Sequence, residues 1–415
     1  MKKFIKQLFP NLSEDGDIRF LYKNSRYKLF YEIIFFIVSF FITWCFGNLT
    51  SPEFYGTYLF IINIVIFFSF LSFAGIEQSL TQSVANGYDY FFITAIKKKL
   101  IYSFFGGVII FIFAVLYALL VEFNYVILVS IIISGLFFPF TSVFNLYHFF
   151  LDGKGDFKRD LIFRLITYTI TSVLLLILIF ISRNLILHFI LLRGALFCFN
   201  IYFMRYCLKR IEVHEQDELL DKKAIKYGLS LTSYSFITLI SLNINNIIIG
   251  SYFGPSVLAF YSIGKGLANK ANTLIKPSFS VLLTKYSKKE AKISKKFIGF
   301  LILGSILLFF MLIIVLPFYL QFFFPEYIGS LNYGIAYSFI PLLMPIVVVL
   351  GYYFRGKAYK KVIRNAQIIP DIISLTLIYP LLLLFGIYGL ILSEFLRYLG
   401  RIIIYIFYKK SIELE

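Results

Sequence analysis

A chain of 415 residues with 60% hydrophobic side chains, 52 of its residues phenylalanine and only 15% charged, cannot hide its apolar surface in a core of its own. That composition excludes a soluble globular protein and implies a polytopic membrane protein. The formal charge of +18 would suit a nucleic-acid partner, but its distribution along the chain argues for another cause.

In chain order, residues 1–28 are charged and lack the early apolar run of a cleavable leader, so the first span is expected to act as an uncleaved signal. A helix needs about 20 apolar residues to cross a bilayer. Runs of that kind predict twelve spans, at 29–49, 57–76, 100–120, 125–150, 162–182, 185–206, 228–250, 257–283, 297–318, 331–354, 366–385 and 387–408. Their length and continuity argue for helices, because a transmembrane barrel alternates over short segments. The expected organisation is an N-terminal segment 1–28, a six-helix lobe 29–206, a linker 207–227, a second six-helix lobe 228–408 and a tail 409–415.

Of the 40 Lys and Arg, 33 fall on one side of this arrangement and only Arg183 on the other. The positive-inside rule then puts both termini in the cytoplasm of a bacterial cell, with the inner membrane as the expected location. Topology and anionic headgroups account for the basic excess, and nucleic acid is not an expected partner. Cys45, Cys198 and Cys207 are scattered and odd in number, as are His148, His188 and His214, so neither a disulfide framework nor a metal site is expected.

An offset of 203 residues brings parts of the chain into register with itself. Pro52 falls on Pro255, Gly56 on Ala259, Tyr58 on Tyr261, Leu80-Thr81 on Leu283-Thr284, Gly153-Lys154 on Gly356-Lys357 and Lys158 on Lys361. Six spans per unit is an even number, so both units enter from the same side. The repeats are then parallel, with a cleft expected between the lobes.

Six cations remain inside predicted spans: Arg193, Lys265, Lys270, Lys276, Arg397 and Arg401. A lysine at mid-bilayer costs about 2.5–3.5 kcal/mol on insertion scales, so each needs a counter-charge, a wet cavity or a route to the interface. In the span 257–283, Ser262, Lys265, Asn269, Asn272 and Lys276 recur at steps of three and four, which is one helix face. Lys270 lies about 140° off that face. The preceding span carries a similar stripe, Tyr234, Thr238, Ser241 and Asn245, and the first span a weaker one, Glu32, Ser39 and Thr43. These stripes, with Lys270 and Arg193, are the expected cavity lining. Snorkelling accounts equally well for Lys276, and local pairing of Glu394 with Arg397 and Arg401 is the plainer reading there. Glu32 and Glu77 are candidate ion-coupling acids, with Na+ or H+ as the coupling cation and no other cofactor expected. Prolines such as Pro139, Pro317, Pro345, Pro370 and Pro380 fall within or near spans and can kink them.

No Walker A loop is present, since Gly153-Lys154-Gly155 lacks the required spacing and hydroxyl. Metalloprotease and rhomboid-like patterns are likewise missing, and the connections opposite the basic side are short. An enzyme is therefore not expected.

The stretch "FGNLTSPEFYGTYLFIINIVIFFSFLSFAGIEQSLTQSVA", with its Pro-x-x-x-Gly-x-Tyr turn and its span ending in Gly75, resembles the Wzx-type polysaccharide flippases. So do "NNIIIGSYFGPSVLAFYSIGKGLAN" and "FGIYGLILSE". The motifs are shared across the multidrug/oligosaccharidyl-lipid/polysaccharide exporter superfamily. The resemblance implies an all-α, MATE-like fold of twelve helices in two lobes, with a central cavity between the first, second, seventh and eighth spans. It also implies translocation of an undecaprenyl-diphosphate-linked oligosaccharide by alternating access, for O-antigen, capsule or another surface polysaccharide. Its implied partners are that lipid-linked glycan, membrane lipids, a polysaccharide polymerase and a chain-length regulator. Under it, Lys265 and Lys276 lie on a cavity-lining helix. The alternatives are a cation-coupled exporter of small molecules, which needs an acidic cavity, and a membrane glycosyltransferase or polymerase, which needs catalytic acids.

Overall fold

The computed structural model of the chain describes residues 16–121, 123–212, 217–286, 293, 295–357 and 359–414. It describes their side chains except at 16–29, 32, 234, 235, 273–278, 280–285, 295, 296, 360, 410 and 412–414. The described residues are helical, with no strand among them. The first half holds α1 (Gly16–Leu49), α2 (Pro52–Phe67), α3 (Gly75–Ala85), α4 (Phe91–Leu120), α5 (Tyr125–Phe144), α6 (Leu146–Gly153), α7 (Phe157–Ile181) and α8 (Leu185–Leu208). The second half holds α9 (Glu218–Ile248), α10 (Pro255–Tyr286), α11 (Lys295–Phe323), α12 (Leu331–Tyr337), α13 (Phe339–Gly356), α14 (Lys360–Phe385) and α15 (Ile387–Leu414).

Nine stretches among the described residues are long and apolar enough to cross a membrane, and several combine two consecutive elements. Pro52–Ser72 joins α2 to a 3-10 turn, Tyr125–Gly153 joins α5 to α6, and Pro325–Gly356 joins a 3-10 turn, α12 and α13. Three further long helices, α1, α10 and α15, fall outside that set. Lys265 and Lys270 interrupt the apolar run of α10, as Glu394, Arg397 and Arg401 interrupt that of α15. Among the described residues nine such stretches thus stand where twelve spans were expected, with Ile33–Leu49 of α1 a shorter apolar helix.

The helix starts follow from local chemistry. Asn124 accepts from the Val126 and Ile127 amides, Asn184 from Ile186 and Leu187, and Asp217 from Leu219 and Leu220. Each side chain satisfies amides that a helix N-terminus leaves open. Pro52 opens α2 behind the capping Ser51, and Pro255 opens α10. Gly153 ends α6 and Gly356 ends α13. The residues that match under the offset thus sit at matching helix ends. Phe73, at φ 60°, divides α2 and its 3-10 turn from α3. Pro139, Pro317, Pro345, Pro370 and Pro380 lie inside helices.

Helices α3 to α9 bring Asp89, Lys154, Asp156, Arg210 and Asp221 to one end of the bundle, hereafter the basic end. One buried cluster, built on Phe91, Tyr147, Phe150 and Phe203, holds the first half together there. A second joins the halves at the opposite, outer end through Phe46, Tyr55, Phe324 and Tyr327. The largest runs through the second half and reaches across the seam to Phe60, Ile61 and Ile64 of α2.

Candidate functional site

The two halves meet along α2 and α3 on one side and α9 and α10 on the other. Two glycines set how closely. A Cβ on Gly56 would lie 1.7 Å from the Pro255 carbonyl oxygen, and one on Gly75 would lie 2.1 Å from the Gly228 oxygen. Real Cβ atoms do not approach that near, so the backbones touch where only glycine permits it.

At mid-depth on this seam, Lys265 of α10 donates from Nζ to Asn246 Oδ1 at 2.7 Å. Asn246 of α9 donates to Asn63 Oδ1 of α2 at 2.8 Å, and Asn63 donates to the Leu59 carbonyl of its own helix at 2.7 Å. The Lys265 ammonium lies 4.3 Å from the Tyr261 ring centre and 5.7 Å from that of Tyr337. Ring faces attract a cation, which lowers the cost of keeping an ammonium away from water. Tyr337 donates in turn to Glu394, which pairs with Arg397 at 2.7 Å. Arg397 also donates to the Ser241 carbonyl at 2.8 Å and to its hydroxyl at 3.0 Å.

The expected stripe on α9 turns away from the seam. Thr238 donates to Asp371 at 2.7 Å, Ser241 receives Arg397, and Asn245 donates to the Leu390 carbonyl at 3.3 Å. All three face α14 and α15, inside the second half, so their expected place in the lining is corrected. The physical reason is that Arg397 and Arg401 need acceptors within the membrane, and the polar face of α9 helps supply them. Arg401 pairs with Asp371 at 2.8 Å. The face that meets the first half is carried one residue on, by Asn246.

Lys270 is placed against α1, 4.6 Å from the Phe40 ring centre and 5.9 Å from that of Phe36. Its Nζ is shut off from solvent and has no hydrogen-bond partner among the described residues. Asn269 is exposed and Asn272 buried, while Arg193 is half-buried on α8. Aromatic rings lie against both Lys265 and Lys270, which remain half-buried, where a hydrated cavity was expected around them. The side chains of Lys276, Tyr234 and Glu32 lie outside the described residues. Glu77 is paired with Lys99, which is 1% exposed. Lys99, outside the six cations expected within spans, is thus a buried partner that neutralises a candidate ion-coupling acid.

Both ends of the seam are closed. At the outer end, Asn48 donates to the Phe323 carbonyl at 2.8 Å, and a Cβ on Gly47 would meet the Phe324 ring at 2.7 Å. At the basic end, the Gly75 amide donates to Thr232 Oγ1 at 2.9 Å and Ser79 donates to the Ala224 carbonyl at 2.6 Å. Asp221 accepts from Tyr88 at 3.0 Å and from Thr94 at 2.8 Å. Burial and the neighbouring Asp221 push the Tyr88 phenol up to about 12. Lys154 pairs with Asp89 at 2.6 Å and Glu212 at 3.2 Å. Burial opposes its charge, but those carboxylates outweigh burial and hold the ammonium above the usual lysine range. A cavity of about 340 Å³ lies beside this closure, lined by Ser79, Gln82, Asn86, Lys223 and Tyr227 among others.

Asn63, Asn246, Tyr261 and Tyr337 were missed in the sequence. Each was visible as a polar or phenolic side chain within a predicted span, but none belonged to a stripe. No group of three or more His, Cys, Asp or Glu positioned for a metal ion occurs among the described residues.

Comparison with known structures places the fold. The lipid II flippase MurJ in an inward closed conformation matches with a TM-score of 0.62 and 15% identity, over 93% of this chain and 87% of that one. An inward-facing multidrug resistance MATE family transporter of the MOP superfamily matches at 0.61 and 16%, over 89% and 91%. A MOP superfamily transporter from Pyrococcus furiosus, with a binding pocket of reversed polarity, matches at 0.60 and 12%, over 95% and 94%. No curated protein matches the chain in sequence. The fold is that of the MOP superfamily, and the protein is a multi-pass membrane protein. A polysaccharide biosynthesis protein family model matches residues 47–297, more than half of the sequence. The chain therefore belongs to the polysaccharide biosynthesis protein family.

Proposed function

We propose that this protein is a flippase, moving an undecaprenyl-diphosphate-linked oligosaccharide across the bacterial cytoplasmic membrane by alternating access of its two halves, with both termini in the cytoplasm. The observation that carries the reading is the balance of charge within the membrane. Glu77, Asp371 and Glu394 are each neutralised by a lysine or arginine, at Lys99, Arg401 and Arg397. Lys265, Lys270 and Arg193 make no ion pair with a carboxylate among the described residues. Among the described residues the uncompensated charge of the interior is positive, which suits an anionic cargo and opposes a cationic one.

A diphosphate carries about two negative charges at neutral pH, and ammonium groups already held away from water offset its desolvation through charge-assisted hydrogen bonds. Asparagine and tyrosine side chains along the seam match sugar hydroxyls. The polyprenyl chain stays in lipid while the halves part. Polysaccharide biosynthesis, the family's process, needs such a carrier step wherever glycan units are built on a lipid on one side of a membrane and used on the other.

The test is translocation of a fluorescent undecaprenyl-diphosphate disaccharide by purified protein in vesicles. Lys265→Met and Lys270→Met should each slow it about tenfold, the weight of one hydrogen bond to a charged group. Unchanged rates in both variants, or export of a cationic dye at a rate indifferent to Lys265→Met, would overturn the assignment.

A further inference from the structure

We infer that Lys265, Asn246 and Asn63 form a charge-sensing latch that ties the halves together at mid-depth and is released when an anion takes the Lys265 ammonium. The identity of that anion rests on the cargo reading above; the tie itself does not.

The chain of bonds has a direction. It starts at the ammonium, a donor only, passes through the Asn246 amide and ends at the Leu59 carbonyl. Because Nζ can only donate, it fixes which end of the Asn246 amide faces α10: the oxygen. The Asn246 nitrogen is thereby turned to α2, where Asn63 presents its own oxygen. Asn63 holds that orientation because its nitrogen is committed to Leu59. Each amide has one alternative, the flipped one, and the charge at Lys265 selects against it.

The latch sits where it bears on opening. Its three residues come from α2, α9 and α10, the helices that touch along the seam. It lies between the outer closure at Gly56 and Pro255 and the basic-end closure at Gly75 and Gly228. Asn63 is 9% exposed, so the bond to Asn246 has little competition from water. The nearest carboxylate, Glu394, is already committed to Arg397 and to Tyr337. The ammonium is thus held by one amide oxygen and two ring faces. A phosphate oxygen is a stronger acceptor than an amide oxygen, since both partners are then charged. An anion reaching Lys265 would therefore draw the ammonium from Asn246, free that amide to flip and remove the bond to Asn63. Binding energy at the lysine would appear as weaker cohesion between the halves, which is the differential interaction that a ligand-driven conformational change requires.

The test uses the full chain with Cys45, Cys198 and Cys207 replaced, in lipid nanodiscs, carrying spin-label pairs at exposed positions. One pair, Phe123 with Phe322, reports the outer end; the other, Lys158 with Arg364, reports the basic end. Distance distributions are recorded with and without undecaprenyl diphosphate, and its binding is measured separately. Without the probe, Asn63→Leu should lower the closed-to-open ratio about fivefold, the weight of one ordinary hydrogen bond. Asn63→Asp keeps an acceptor for Asn246 but loses the donor to Leu59, so it should stay more closed than Asn63→Leu, a partial rescue that a merely space-filling role would not produce. Undecaprenyl diphosphate should shift the parent toward open and should shift Asn63→Leu no further. If Asn63→Leu is as closed as the parent, or if the probe binds and the distances do not change, the latch is overturned and the cargo reading stands. If Asn63→Leu opens the seam but no protein binds the probe, the tie is upheld, and release by a lipid diphosphate falls together with the cargo reading.

Discussion

At the outer end of the bundle the halves meet through rings: Phe40 packs against Tyr319, Phe323 and Phe324, and behind it Phe46 stacks within its own half on Tyr55 at 5.0 Å and on Tyr58 at 4.6 Å. At the basic end they meet through small residues and polar bonds, with Gly75 against Gly228 and Thr232, and Asp221 receiving Tyr88 and Thr94. Ring contacts are insensitive to salt and to pH, and they loosen only as whole surfaces separate. Polar bonds can be exchanged singly for water or ligand groups at little net cost. A bundle closed this way has one end that resists chemistry and one that responds to it. The responsive end faces the loops that carry most of the positive charge.

The contrast can be broken at either end, and the outer end should show the larger effects. Phe46→Ala removes a ring that is 1% exposed and should cost about 3 kcal/mol in thermal unfolding of the purified protein. That deficit should be the same in low and high salt. Gly56→Ala drives a methyl group into the Pro255 carbonyl and should cost about 2 kcal/mol, with the outer-end spin-label pair displaced and the basic-end pair unmoved.

At the basic end, Asp221→Ala leaves the Thr94 hydroxyl without its acceptor and Tyr88 with only the Asp217 carbonyl, and should cost about 2 kcal/mol. The basic-end pair alone should move. The smallest effect is that of Lys154, paired with Asp89 and Glu212 in a partly exposed position, worth about 1 kcal/mol. Its folded pKa is raised, so this contribution is complete below the ordinary lysine pKa of about 10.4 and is lost as pH rises through the folded value. Unfolding of the parent should therefore approach that of Lys154→Met only in strongly alkaline buffer. A Lys154→Met deficit that persists unchanged there would remove Lys154 from the polar closure.

The membrane class and the helices were legible because a bilayer leaves few options: long apolar runs must be helical to satisfy their own backbone. The Glu394–Arg397 pair was legible too, since the two are three residues apart on one helix, but Arg401, expected to share Glu394, pairs instead with Asp371 of α14. Partners across helices were not. Glu77 and Lys99 are 22 residues apart, and nothing local marks them as a pair. Thr238, Ser241 and Asn245 do share one face of α9, but their neighbour was not legible, because a helix face specifies a direction only once the packing of the helix is known. Asn246 and Asn63, 183 residues apart, carry no pattern at all.

The amino-acid sequence by itself determined the solvent this chain folds in, the helical state of its spans and the existence of cations inside them, because these follow from local hydropathy and backbone hydrogen bonding. Apart from the local Glu394–Arg397 pair, tertiary structure decided which of those charges are cancelled. Arg397, Arg401 and Lys99 found carboxylates, while Lys265 found an amide that leads into the other half and Lys270 found two phenylalanine rings. Electrostatic compensation depends on distances of a few ångströms between helices, and those distances are fixed only when the helices pack.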